Sequence, residues 1–190
     1  MRIVGVSGKA GSGKDYVGRY MRRYGFQNVA FAWPLKSECV KQKIGTFDEC
    51  FNTKPPHVRR WLQEFGVGMR DADPRYWIDQ LDTLLRVLES QGGLTSFVIT
   101  DMRFKNELEY VREMGGKLIR LEHGTRRYPL AGTPEAFHRS ETDLDLYQGW
   151  DLKYVNGLNA TNENLNLALY AAEIIEYRPF PREMVPAISD

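Results

Sequence analysis

The chain has 190 residues, with 26 Lys and Arg against 25 Asp and Glu, and is 42% hydrophobic and 12% aromatic. That length and apolar content suit one domain, residues 1–190, with a core of its own, and exclude a disordered or fibrous protein. A net charge of +1 argues against duplex nucleic acid as the main partner, since such binding rests on neutralising many phosphates, but it leaves room for a small phosphorylated ligand.

In chain order, Ile3 to Ser7 is a short apolar run ending at glycines, and Tyr16, Val17, Tyr20, Met21 and Tyr24 recur at helical spacing. The pattern predicts strand, tight loop and helix. Ala30 to Lys36 ends a second strand and starts a helix at Pro34. Pro55-Pro56 precedes a helical stretch to about Arg70, and Pro74 opens another to about Ser90. Ser96 to Thr100 reads as a buried strand. The helix after it carries Phe104, Leu108 and Val111 on one face and stops at Gly115-Gly116. Lys117 to Leu121 is the next strand. From Glu122 to Thr142 periodicity disappears, as in a functional loop or lid. Leu152 to Val155 predicts one more strand and Asn162 to Tyr177 a closing helix, before an extended arm over 178–190. Alternating strands and helices imply an α/β fold, a parallel sheet flanked by helices in three layers.

Cys39 and Cys50 are too few for a disulfide framework and lack metal-ligand spacing, so they read as reduced thiols. The apolar run at the N-terminus is too short for a signal peptide, and nowhere do 18 apolar residues follow one another. The expected location is the cytoplasm, that of the host if the protein is viral, with no membrane partner.

Gly8-Lys9-Ala10-Gly11-Ser12-Gly13-Lys14 fits G-x-x-x-x-G-K between a predicted strand and a predicted helix. Glycines let successive N–H groups turn inward, the helix adds its positive end, and Lys14 supplies a cation for phosphates. The motif therefore points to ATP. Asp15 stands where a Ser or Thr would serve Mg²⁺; it either serves the metal itself or caps the helix. Asp101, at the carboxyl end of the strand Phe97-Val98-Ile99-Thr100, sits where α/β sheets bind ligands and either steadies Mg²⁺ or caps the next helix. Arg103 is a clamp for a transferred phosphate or the partner of Glu107 one turn on. Arg is the more abundant base, and its planar fork suits phosphate.

Several further segments carry a resemblance. They are Ala32-Trp33-Pro34-Leu35-Lys36; Arg60-Trp61-Leu62-Gln63-Glu64-Phe65-Gly66 with Arg70 and Tyr76-Trp77; Asp101-Met102-Arg103-Phe104 with Asn106-Glu107; and His138-Arg139-Ser140-Glu141-Thr142. Together with the loop, the chain resembles the bacteriophage deoxynucleoside monophosphate kinase family. Tyr16 stands where that family often has a small residue, and Trp33 where it has Asp. The resemblance implies an adenylate-kinase-like P-loop fold with a lid and transfer of the γ-phosphate of ATP to a deoxynucleoside monophosphate. Catalytic candidates are then Lys14, Asp101 and Arg103, with Asp15 and Asp101 on Mg²⁺. ATP contacts fall on residues 8–14, Asp15, Tyr16 and the candidate lid pair Arg126-Arg127. Substrate contacts fall on Lys36, Arg60, Gln63, Arg70, Trp77, Arg103, Glu107, Ser140 and Glu141. Trp61 or Trp77 forms a wall for the base or belongs to the core. A homodimer is compatible with this reading.

Two other readings stand beside it. One is a P-loop kinase of another acceptor, such as a hydroxymethylated base in phage DNA or a small phosphorylated metabolite; a hydroxyl acceptor needs a carboxylate base, which Asp15, Asp101 or Glu141 can supply. The other is a nucleotide-binding ATPase module without an acceptor.

Overall fold

A computed structural model describes residues 1–124, 128–157 and 161–176. The expected lid pair Arg126-Arg127, the end of the closing helix at Tyr177 and the arm over 178–190 lie outside the described residues. Five strands, β1 (Arg2–Gly8), β2 (Gln27–Val29), β3 (Ser96–Met102), β4 (Lys117–His123) and β5 (Leu152–Asn156), form one sheet in the order β2-β3-β1-β4-β5. Every pairing is parallel. All of β1 after Arg2 is buried, as befits the central strand of a sheet covered on both faces.

Alternation along the strands sends neighbouring residues to opposite layers. Ile3, Phe97, Ile99 and Leu118 pack on Ile78, Leu81 and Leu85 of α4 (Tyr76–Gly92) and Leu108 and Val111 of α5 (Lys105–Glu113). Val4, Val6, Val98 and Ile119 pack on Val17, Tyr20 and Met21 of α1 (Lys14–Met21) and Leu165 and Leu169 of α7 (Asn162–Ala171). A third, smaller cluster of Cys39, Cys50 and Val58 joins α2 (Ala32–Lys41), a π-helical turn (Glu49–Thr53) and α3 (Pro56–Ala72). Both cysteines there are free thiols, and burial pushes that of Cys39 up to about 12.

The elements differ from the sequence expectation mainly at their ends. Helix α2 begins at Ala32, two residues before Pro34, because the Asp101 carboxylate accepts the N–H groups of Phe31 (2.8 Å) and Ala32 (3.0 Å). Pro34 then falls in the first turn, where a missing N–H costs nothing. Helix α4 begins at Tyr76, after a turn in which Asp73 accepts the Arg75 N–H at 2.9 Å. Strand β4 runs on to His123, held by its register with β5, in which His123 pairs with Asn156. The aperiodic stretch contains a 3-10 turn (Pro134–Phe137) and the one-turn α6 (Arg139–Thr142). Helix α7 ends at Ala171, earlier than expected, and Glu173 adopts a left-handed φ of 56° just beyond it. Among the described residues, no helix is long and apolar enough to cross a membrane.

Candidate active site

The phosphate-type loop lies between the carboxyl end of β1 and the first residue of α1, at the middle of the sheet. Its conformation demands glycine. Gly13 has φ 97°, and a Cβ there would strike the Asn156 amide; Gly11 has φ 77°, and a Cβ would lie 2.8 Å from Pro129. Neighbouring strand ends hold the loop in place. Asn156 of β5 donates to the Ser12 carbonyl (2.9 Å), and the His123 ring of β4 meets the Ala10 carbonyl (2.8 Å). Lys14 turns its ammonium back onto the carbonyls of Gly8 (2.6 Å) and Lys9 (2.9 Å). Burial and the neighbouring Arg103 lower its pKa to about 8, against the pull of Glu141, Asp15 and Asp101. Ser12 is buried, and its hydroxyl has no partner among the described residues.

Of four carboxylates in this region, Asp101, Glu141 and Asp15 act on Lys14, and Glu107 stands behind Asp101. Asp101 gives both oxygens to the N-terminus of α2, so it caps that helix rather than the next one. Burial raises its pKa, opposed by the Ala32 and Phe31 N–H groups and by Lys36 and Arg103. Glu107 is 5% exposed and caps α5, its carboxylate accepting the Arg103 N–H (2.7 Å) and the Phe104 N–H (3.0 Å). Burial, with the charge of Asp101, pushes its pKa up to about 8. The Arg103 guanidinium turns away from Glu107 and pairs with Glu141 of α6. Glu141 also accepts the Ala10 N–H of the loop at 2.9 Å and the Tyr128 hydroxyl at 3.0 Å. Asp15, in the first turn of α1, is exposed and makes no capping bond. Asp15 and Asp101 both act on the Lys36 ammonium, whose pKa burial and Lys54 lower.

Beside the loop opens a cleft of about 730 Å³, walled by α3 and by the segment around α6. It gathers Gln63, Arg70, Arg103, Ser140 and Glu141 from the expected substrate set. Arg70 lies over the Phe104 ring, 4.5 Å from its centroid. Other members of that set stand elsewhere. Arg60 is exposed in a second cleft of about 570 Å³ with Lys54 and Arg59, which Gln63 also borders. Lys36 lies over the Phe51 ring at 5.5 Å. Trp77 is 6% exposed, its indole N–H donating to the Gly66 carbonyl at 3.0 Å; it joins α3 to α4 in the core. Trp61 stacks on Phe65 at 4.6 Å. Of the expected ATP contacts, Tyr16 is exposed on α1 and bonds Asn162, and Lys9 pairs with Asp145 at 3.0 Å.

Sequence reasoning passed over His123, Tyr128 and Asn156. His123 and Asn156 had a usable signal, since polar residues closing parallel strands face the crevice where such sheets bind ligands. Tyr128 had none, because its partner Glu141 is 13 residues away in an aperiodic stretch.

A five-stranded parallel sheet with a glycine-rich loop and lysine closing its central strand defines an α/β fold of the P-loop kinase type. No protein-family model matches the sequence. The chain is similar to an Acanthamoeba polyphaga mimivirus protein named "Putative deoxynucleotide monophosphate kinase", 27% identical over 187 residues that cover 82% of this chain and 89% of the relative. It is also similar to a Drosophila melanogaster protein named "Phosphomevalonate kinase", 27% identical over 94% of this chain and 100% of the relative. Among solved structures, dephospho-CoA kinase from Campylobacter jejuni matches with a TM-score of 0.52 at 12% identity, covering 93% of this chain and 99% of that one. This structural likeness agrees with the fold.

Proposed function

We propose that the protein is a kinase that transfers the γ-phosphoryl group of ATP to a deoxynucleoside 5′-monophosphate, giving the diphosphate. One observation carries this reading: Glu141 touches the loop amide of Ala10 and the guanidinium of Arg103 at once, so the phosphate-type loop and the Arg-lined cleft share one space. The mimivirus relative supports the acceptor class through its name. The loop fits a polyphosphate, because its glycine positions leave no room for side chains and a buried Ser12 hydroxyl is left unpartnered beside them. Residues 8–14 would hold the donor phosphates. Asp15 suits a Mg²⁺ carried by the nucleotide through water, whereas Asp101 already spends an acceptor site of each oxygen on α2. Bound ATP·Mg²⁺ supplies the transferable phosphoryl group.

An acceptor monophosphate brings an ionised oxygen, so the protein has no proton to remove; it needs positioning and charge neutralisation. Arg70 and Arg103 serve the acceptor phosphate, and Lys14 serves the donor. The acceptor oxygen forms the new bond to phosphorus as the bond to the β–γ bridging oxygen breaks, and ADP leaves. A phosphorylated metabolite is the second reading, favoured by the full-length match to the Drosophila relative and by the aliphatic wall of Leu35, Leu62, Val67 and Leu130 in the cleft.

The test is an ATP-dependent screen of deoxynucleoside monophosphates, phosphomevalonate and a 5-hydroxymethyluracil oligonucleotide. Formation of a deoxynucleoside diphosphate is expected; turnover confined to another acceptor overturns the reading. In the same assay, Lys14→Ala loses transfer by at least about 100-fold while its circular dichroism stays that of the parent.

A further inference from the structure

Glu141 holds a position that the proposed reaction reserves for a phosphate. Its side chain is 4% exposed, yet its carboxylate is fully engaged. One oxygen accepts the Ala10 N–H at 2.9 Å and the Tyr128 hydroxyl at 3.0 Å; the other pairs with the Arg103 guanidinium. A loop amide, a guanidinium and a phenol are the donors a phosphoryl oxygen would use at a phosphate loop. Burial alone disfavours the carboxylate charge, but the Ala10 N–H, Arg103 and Tyr128 outweigh it and hold the pKa below the usual range. Glu141 is therefore an anion. Lys14 lies within its field and spends its ammonium on the carbonyls of Gly8 and Lys9.

Two anions cannot share these donors in a partly buried space without strong repulsion. We propose that Glu141 competes with substrate phosphate for the Ala10 N–H and Arg103, so that phosphate binding at the loop expels Glu141 and frees Arg103 toward the acceptor cleft. The inference rests on the phosphoryl-transfer reading of this site. Glu141 belongs to the four-residue α6, tied to α5 through Asp143, which accepts the Lys105 N–H at 2.9 Å. Ser140 and Glu141 both wall the cleft, and the Ser140 carbonyl lies 3.4 Å from the Arg103 guanidinium. Expelling the carboxylate therefore reshapes the acceptor side as the donor side fills. Glu141 is a positioning residue acting through Arg103, and it couples the two substrates.

The sign of one measurement separates this role from that of a fixed strut. Glu141→Gln keeps an acceptor for Ala10 and Tyr128 but removes the charge that holds Arg103. Calorimetry with inorganic tripolyphosphate and with ATP, without an acceptor, reads binding apart from turnover. Competition makes Glu141→Gln bind both ligands about 5- to 150-fold more tightly than the parent, the usual span of a coupling between sites. A strut that aims Arg103 makes the variant bind more weakly, and weaker or unchanged binding overturns the proposal. Tyr128→Phe, which loosens Glu141 without touching α6, shows the same direction with a smaller gain; weaker or unchanged binding there also counts against competition. If the parent binds tripolyphosphate and Lys14→Ala does not, the loop reading stands whatever Glu141 does. If neither the parent nor Glu141→Gln binds either ligand, both fall.

Discussion

Lys14 is where a single proton decides the behaviour of the site. Its pKa of about 8 arises from burial and from Arg103, and in the proposed reaction an arriving polyphosphate reverses the balance by favouring the ammonium. The lysine is charged below its pKa and neutral above it. Polyphosphate affinity is therefore close to full at pH 7 and falls about tenfold by pH 9, the loss expected one pH unit above a pKa of about 8. Calorimetry at the two pH values checks this, and a Lys14→Ala variant has no such step. At this scale the sequence was legible where chemistry is local. Gly8, Gly11 and Gly13, closely spaced before Lys14, predict a tight loop between strand and helix by themselves, and the chain has that loop between β1 and α1. It was silent where a role depends on a distant partner: Arg103 offers Glu107 four residues on and Glu141 38 residues on, and only the folded chain brings the second within reach.

Helix ends explain much of what the elements do. Glu107 terminates α5 at its start by accepting two N–H groups, and burial has raised its pKa from 4.5 to about 8. A raised pKa means that the folded state holds this proton more tightly than the unfolded chain. The contribution is complete below pH 4.5 and drains away as the pH climbs through about 8. Glu107→Gln keeps a cap acceptor and cannot titrate, so urea unfolding at pH 5, 7 and 8.5 shows a flatter stability profile than the parent. A matching slope in both proteins would assign the titration to another group. Strand and helix positions were readable from periodicity and proline, whereas their ends were not. Helix α2 begins where Asp101, 69 residues from Ala32, satisfies its first amides, and no local pattern carries that information.

Taken whole, the molecule sets one half of its chemistry on the sheet and the other on helices beside it. Alternation of strands and helices was enough to expect a parallel α/β sheet, but the order β2-β3-β1-β4-β5 follows from long-range pairing that local patterning does not encode. Trp77 shows the same limit: an indole in a resembling segment is a wall for a base or a core residue, and the bond to Gly66 that makes it core spans two helices.

The central place of β1 also bears on hydrogen exchange. Flanked by β3 and β4, its amides around Val4 to Val6 are expected to open only when the whole domain unfolds, whereas α2 and α3, held by a small cluster, the Asp101 cap and the Trp77 bond to Gly66, are expected to open in a cheaper, partial step. In heavy water, deuterium should enter α2 and α3 well before β1, and equal protection would refute the partition. The stem of the glycine-rich loop would then stay fixed through many openings of the cleft wall, which in the proposed reaction lets acceptors exchange while the donor end keeps its shape.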